Sequence, residues 1–381
     1  MRDYFPGLGN ELTSIRIARF ERDARQGQYL MNFPIPKHSR SQINRVGDIL
    51  VRGATSAKEL NAAMDVLTHW RACHGYPVNT FQATLRKRLT HLDRNALVAQ
   101  RLKRSASIVA KLKRFDGMKL ARMQDIGGLR AVVENLAIVR TLQDAYEDDS
   151  RLVHELLCVD DYIGCPKPDG YRSVHLVFRY KNESESAYDG LRLELQLRTR
   201  LQHAWATAVE TMGTFLGQAL KLQQGEPEWL KFFEMASNAF AFLEKAPLIP
   251  GHHLMDKETT FWALADSEEQ LNVLQKLRGF ALAANAITTT GRKSSGYHLV
   301  VLDSLKKKVF VRPYAFQELD RAMEDYANAE KRAIQGEKIE AVLVSAGPID
   351  SLKRAYPNYF LDTHEFIRRV QRIVSSYRSK S

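Results

Sequence analysis

The residues best able to do chemistry sit on one short segment. Residues 191–198 read LRLELQLR, so Leu191, Leu193, Leu195 and Leu197 alternate with Arg192, Glu194, Gln196 and Arg198. A strand sends successive side chains to opposite faces, so this spacing predicts a leucine face and a face carrying a carboxylate, an amide and two guanidiniums. An ordinary half-exposed strand has the same period; the charged set favours a strand lining a cleft. A second group is RLKRSASIVAKLK at 101–113. At about 100° per residue, Leu102, Ala106, Val109 and Leu112 share one arc of a helix, while Lys103, Arg104, Ser107 and Lys111 share the opposite arc. Cations and a hydroxyl on one face suit a polyphosphate, each cation neutralising a phosphate oxygen; the solvated face of an amphipathic helix fits the same pattern. Asp125 lies two residues before GGLRAVV. With Glu194 from another strand it would make a hard-oxygen ligand set for Mg²⁺, completed by substrate phosphates; alone, it would cap a turn.

A fourth group is DYIGCPKPDGYRSVH at 161–175. Pro, Asp and Gly supply turn chemistry, which presents Lys167, Tyr171 and His175 at the mouth of a strand. An aromatic after such a turn can stack on a base, although a core tyrosine and a satisfied strand histidine account for Tyr171 and His175 equally well.

These groups need elements to hold them. Residues 55–72 predict a helix capped by Thr55 or Ser56, and 79–115 reads as helical and basic throughout. Strands are expected at 127–133, 172–180 and 191–199, the last two joined by NESESAYDG, with helices near 135–147 and 200–221. PIPKHSRSQINRVG reads as a surface loop. After the boundary loop KLQQGEPEW come an apolar helix, a linker PLIPGHH, a helix at 266–286, strands YHLVVLD and KKVFVRPY, a helix at 317–334, a strand EAVLVSAG and a last helix THEFIRRVQRIV. The fold expected is α+β: a mixed sheet flanked by helices, with a small C-terminal α+β unit. The expected division is 1–250 and 251–381.

With 381 residues, 44% of them hydrophobic, the chain can bury a core and suits two domains. A net charge of +12 predicts a polyanionic partner. Nine cations (Arg86, Lys87, Arg88, Arg101, Lys103, Arg104, Lys111, Lys113 and Arg114) fall in one basic stretch, which suits a long phosphate backbone. Cys73, Cys158 and Cys165 form no CxxC pair, which argues against a zinc site or a disulfide framework. The N-terminus has no apolar leader and no stretch approaches a membrane span, so a cytoplasmic location is expected.

In order, RLKRSASIVAKL, DIGGLR, DYIGCPKPDGYRSVH, LELQLRT and QHAWATAVE resemble the RelA/SpoT synthetase domain over roughly 80–215. That resemblance implies pyrophosphate transfer from ATP. It would set Arg101 on the adenine, with Arg140 on its other face, Lys103, Arg104, Ser107 and Lys111 on the phosphates, and Arg130 and Arg198 in support. Asp125 and Glu194 would be catalytic and hold Mg²⁺. Lys167, Tyr171, His175 and Gln196 would meet the acceptor, and Arg86, Lys87 and Arg88 a tRNA backbone. Asp169 stands where many members have Asn, a departure that would alter acceptor contacts. No HDxxED-like hydrolase motif occurs, so the chain resembles the small stand-alone members, which modify GDP or GTP or the 3′-CCA end of tRNA.

The tail sequence LKRAYPNYFLDTHEF adds a further likeness, to fused toxin–antitoxin synthetases of the CapRel type. That likeness implies that Tyr356 and Tyr359 block the ATP pocket until a phage major capsid protein binds the tail, after which a monomeric enzyme pyrophosphorylates tRNA and aborts infection. Rival readings are an alarmone synthetase with a regulatory tail, a non-catalytic RNA-binding regulator, and a tail that serves only for oligomerisation.

Overall fold

A computed structural model of the chain describes residues 33–103, 105–150, 152–216, 218, 220, 225–289, 295–303, 308–334, 337, 339–345 and 359–378. Three helices lead: α1 (Arg40–Arg52), α2 (Ala57–Cys73) and α3 (Gly75–Leu92). The expected surface loop at 34–47 holds only as far as Ser39, and from Arg40 it is helical. Ser39 and Gln42 form a capping box, with both reciprocal hydrogen bonds present, and Ile43, Val46 and Leu50 are buried. Ser56 caps α2, as its position predicts.

The expected continuous helix across 79–115 is broken. Residues Leu97–Leu102 form strand β1, and α4 starts only at Ser105 and ends at Arg114. In α4 the buried residues are Ile108 and Leu112, while Ala106 is exposed, so the apolar arc is rotated from the expected one. Arg101 therefore stands on a strand.

There follow β2 (Gly127–Val133), α5 (Leu136–Glu147), β3 (Glu155–Asp161), β4 (Val174–Arg179) and β5 (Arg192–Thr199). They form one mixed sheet in the order β1-β2-β5-β4-β3, with β2 and β5 parallel and the other pairs antiparallel. One face is apolar. Leu129, Ala131, Val133, Leu193, Leu195, Leu197, Leu176 and Phe178 pack on Phe81 and Leu85 of α3 and Val139 and Leu142 of α5. Gly127 permits this closeness: a Cβ there would stand 2.8 Å from Val78 of α3.

The chain then runs through α6 (Arg200–Leu216), α7 (Pro227–Glu244), α8 (Lys257–Leu271) and α9 (Val273–Thr289). The single helix expected at 266–286 is two, because Asn272 takes a left-handed conformation between them. A small sheet β7-β6-β8 follows, from β6 (Ser295–Asp303), β7 (Lys308–Ala315) and β8 (Ile339–Ser345), with α10 (Leu319–Ile334) packed on it through Ala322. Helix α11 (Tyr359–Arg378) ends the described chain. A second core, distinct from the sheet's, joins Trp205 and Met212 of α6, Phe232 and Phe240 of α7, Leu264 of α8, Phe280 of α9 and Phe366 of α11. This core draws on residues from both sides of position 250.

Candidate active site

The sheet register collects the predicted polar residues on the face opposite the α3–α5 layer. Arg101 pairs with Gly128, and Gly128 with Glu194; Ala99 pairs with Arg130, and Arg130 with Gln196; Gln196 pairs with His175, and His175 with Asp160. Residues that pair across a sheet share a face. Arg101, Arg130, Glu194, Gln196, Arg198, His175 and Asp160 thus stand on one surface. Gly128 keeps the floor beneath Arg101 and Glu194 low: a Cβ there would meet nothing nearer than 3.7 Å, so packing alone does not demand glycine.

Two carboxylates organise the charges. Asp125 receives Lys103 Nζ at 2.8 Å on Oδ2 and Lys111 Nζ at 3.0 Å on Oδ1. Glu194 accepts Gln196 Nε2 at 2.7 Å on Oε2 and faces His175 Nδ1 at 3.0 Å on Oε1. Burial alone would raise the Glu194 carboxyl. The His175 hydrogen bond and charge, Gln196 and the nearby Lys111 outweigh that and bring it down to about 2. Lys111 thus acts on both acidic centres.

The polar line continues outward. His175 Nε2 lies 2.7 Å from the Tyr171 hydroxyl, to which Arg198 also donates, and Arg198 reaches Gln196 Oε1 at 3.3 Å. Burial pushes the Tyr171 phenol up, but Arg198 and His175 override it and lower it to about 7. Burial likewise pushes His175 down, and Tyr171 and Glu194 together leave it raised. Cations flank the Tyr171 ring, with Arg198 Cζ at 4.8 Å and Lys167 Nζ at 5.2 Å from its centroid, so a base stacking there would displace one of them. Lys167 also sits 4.2 Å over the Tyr162 ring.

Beyond Tyr171 and Arg198 the surface dips into a cleft of about 520 Å³. The turn gives Asp169, α6 gives Trp205 and Val209, and α7 gives Leu230, Phe233 and Glu234.

Residues 100–213 match the family described as the region found in RelA / SpoT proteins. This segment is similar to a RelA/SpoT region. Over 115 residues the chain is 35% identical to the GTP pyrophosphokinase YjbM of Bacillus subtilis (strain 168), covering 29% of this chain and 52% of that protein. It is 30% identical over 115 residues to the GTP pyrophosphokinase YwaC of the same organism, covering 28% and 52%. The crystal structure of small alarmone synthetase 1 from Bacillus subtilis aligns at 25% identity over 48% of this chain and 93% of that one, with a TM-score of 0.40. The chain spans about half the length of the curated relatives it matches. The RelA/SpoT region ends within α6, so α7–α11 and the small sheet lie beyond it.

Within the RelA/SpoT region the structure brings together Arg101, Lys103, Lys111, Asp125, Arg130, Glu194, Gln196, Arg198, His175, Tyr171 and Lys167. Ser107 is exposed on α4, one turn before Lys111. Arg104 and Tyr356 lie outside the described residues, as does the side chain of Tyr359. Arg140 on α5 is tied to Asp161 at 2.9 Å and to Gln143. Arg86 and Lys87 are exposed on α3, which covers the apolar face, so the sheet separates them from Glu194.

Arg88 is occupied by the fold. It donates to the Ala145 carbonyl, pairs with Asp149 and covers the Tyr146 ring at 4.5 Å. Arg88→Ala is therefore expected to cost about 1–3 kcal/mol of stability. A denaturant titration measures this.

Asp160, Tyr162, Phe233 and Glu234 were not foreseen. The first two lie on or beside an edge strand, and the others on a helix remote in sequence.

The donor set fits Mg²⁺. It offers two carboxylates, both beside cations that a phosphate chain would draw away, and Glu194 is held ionised. Among the described residues no three His, Cys, Asp or Glu side chains gather into a self-sufficient metal site, so substrate phosphates would supply the other ligands.

Proposed function

We propose that this chain transfers the β,γ-pyrophosphate of ATP to a nucleotide 3′-hydroxyl, releasing AMP. One observation carries the reading: ionised Glu194, the Asp125–Lys103–Lys111 cluster and Arg101, Arg130 and Arg198 converge on a single sheet face. The acceptor oxygen attacks the β-phosphorus, the bond to the α–β bridging oxygen breaks, and AMP leaves with that oxygen. Glu194 takes the hydroxyl proton and so orients the attack. Lys103 and Lys111 move from Asp125 onto the phosphates, and Arg101 lies over the adenine. Asp125 and Glu194 would hold Mg²⁺, which when bound would neutralise charge on the transferred group.

For the acceptor we propose the 3′-CCA end of tRNA, which the net charge of +12 supports. The 35% identity to a GTP pyrophosphokinase favours GDP or GTP as the alternative. Resemblance supports a resting state in which Tyr356 and Tyr359 cover the ATP pocket and a phage major capsid protein opens it. The test is the full chain with γ-³²P-ATP, Mg²⁺ and either deacylated tRNA or GDP and GTP, alongside Tyr356→Ala/Tyr359→Ala. Label in tRNA that rises in the double variant supports the whole reading. Label in guanine nucleotides overturns the tRNA acceptor, and label in neither, with either protein, removes the transferase reading.

A further inference from the structure

We infer that helix α7 holds the 166–173 turn in its working shape and that α11 seats α7 there, making Ser237 and Phe366 positioning residues for the acceptor. The inference rests on the reading of that turn as the acceptor site. Both residues lie beyond the RelA/SpoT region.

The turn and α7 are in direct contact. Gly170 has φ +88°, and a Cβ there would stand 2.8 Å from Ser237 Cβ and 3.1 Å from Trp205 Cζ2. Ser237, buried, donates to the Gly170 carbonyl at 2.6 Å and accepts Arg172 Nε at 2.9 Å. One hydroxyl thus grips the turn immediately before and after Tyr171. Arg172 is held again by the Pro247 carbonyl at 2.6 Å, just past the end of α7.

The grip is only as firm as α7. Its Phe232, Phe233 and Phe240 rings surround Phe366 of α11, with centroids 6.4, 6.1 and 5.6 Å away. Phe366 is fully buried. Phe233 also lines the cleft beside Tyr171, so a single ring separates Phe366 from the space an acceptor would enter. At the far end of α7, Glu244 accepts Gln202 Nε2 at 3.0 Å and lies in the field of both Arg172 and Arg369 of α11. The C-terminal helix therefore reaches the turn by an apolar plug and by charge. Lys103 and Lys111 rest instead on Asp125, and Arg101 on the β1–β2 edge.

The experiment compares the full chain with Ser237→Ala and Phe366→Leu by hydrogen–deuterium exchange and steady-state kinetics. Both variants should exchange about tenfold faster in 166–173 and raise the acceptor KM by about the same factor. Residues 97–114 and the ATP KM should not change. Unchanged exchange in 166–173 for either variant overturns the inference, as does equal loosening of 97–114, which would mean a general loss of fold. Exchange needs no turnover, so a protein that transfers no pyrophosphate would sink the proposed function while this inference stands or falls on 166–173.

Discussion

Glu194→Gln is expected to lower turnover by about a hundredfold or more while the protein stays folded. The substitution keeps the shape and one oxygen for Gln196 Nε2, and sets an amide NH2 where the second oxygen faces His175 Nδ1. What it removes is the negative charge that orients the acceptor hydroxyl, takes its proton and helps hold the metal. The charge is present because its neighbours overcome burial and keep the carboxyl at about 2; this suits it to orienting the hydroxyl and holding the metal more than to keeping a proton. The stability consequence has a definite sign. The folded value lies below the ordinary 4.5, so the contribution is present above that pH and is lost as pH falls toward about 2. Thermal melts from pH 7 down to pH 2.5 should show this acid loss in the parent and less of it in Glu194→Gln. A kcat within threefold of the parent, at saturating ATP and Mg²⁺, would sink the assigned role.

The sequence made this centre legible because the chemistry and the period coincide there. Leu193, Leu195 and Leu197 are buried as the alternation in β5 predicts, and Glu194, Gln196 and Arg198 share the other face. Only Leu191 precedes the strand. Strand β2 read equally well, being apolar, short and glycine-led. Strands β1 and β3 did not. Both lie at sheet edges and are half-exposed along their length, and in β1 the sequence LVAQRL between two basic helices carries no turn residue to interrupt a helical pattern. The cap of α1 was readable, since Ser39 and Gln42 stand at capping-box spacing, but the surrounding prolines and basic residues masked it.

The site's outer wall was hidden for a different reason. Phe233 and Glu234 face the cleft from a helix remote in sequence, and nothing local marks them. Arg88 shows the converse. A cation in a basic run suggests a phosphate partner, yet burial beside Asp149 and Tyr146 commits it to the fold. Composition predicts a polyanionic partner for the chain as a whole; which cations meet it is decided by packing.

Ending the chain at Pro250 is expected to yield no soluble folded protein, and hence no gain in pyrophosphate transfer. The cut removes Leu264, Leu277, Phe280, Phe366, Ile367, Val370, Ile373 and Val374, all buried in the second core with α6 and α7. At about 2 kcal/mol for each large apolar side chain, their burial amounts to about 16 kcal/mol, the upper estimate from area. A domain's whole stability is about 5–15 kcal/mol. The partners left behind would face water: Phe215, stacked on Phe280 at 4.3 Å, and the three α7 phenylalanines around Phe366. Any regulatory unit that can be removed from this protein is therefore smaller than 251–381. The β6–β8 sheet and α10 are the natural candidate, since Leu299, Tyr314 and Ala322 make a core of their own. Size-exclusion chromatography and a thermal melt of the 1–250 fragment decide the matter. A monomer with a cooperative transition and raised activity would mean that α8, α9 and α11 are dispensable, and that the C-terminal half acts as a cover alone.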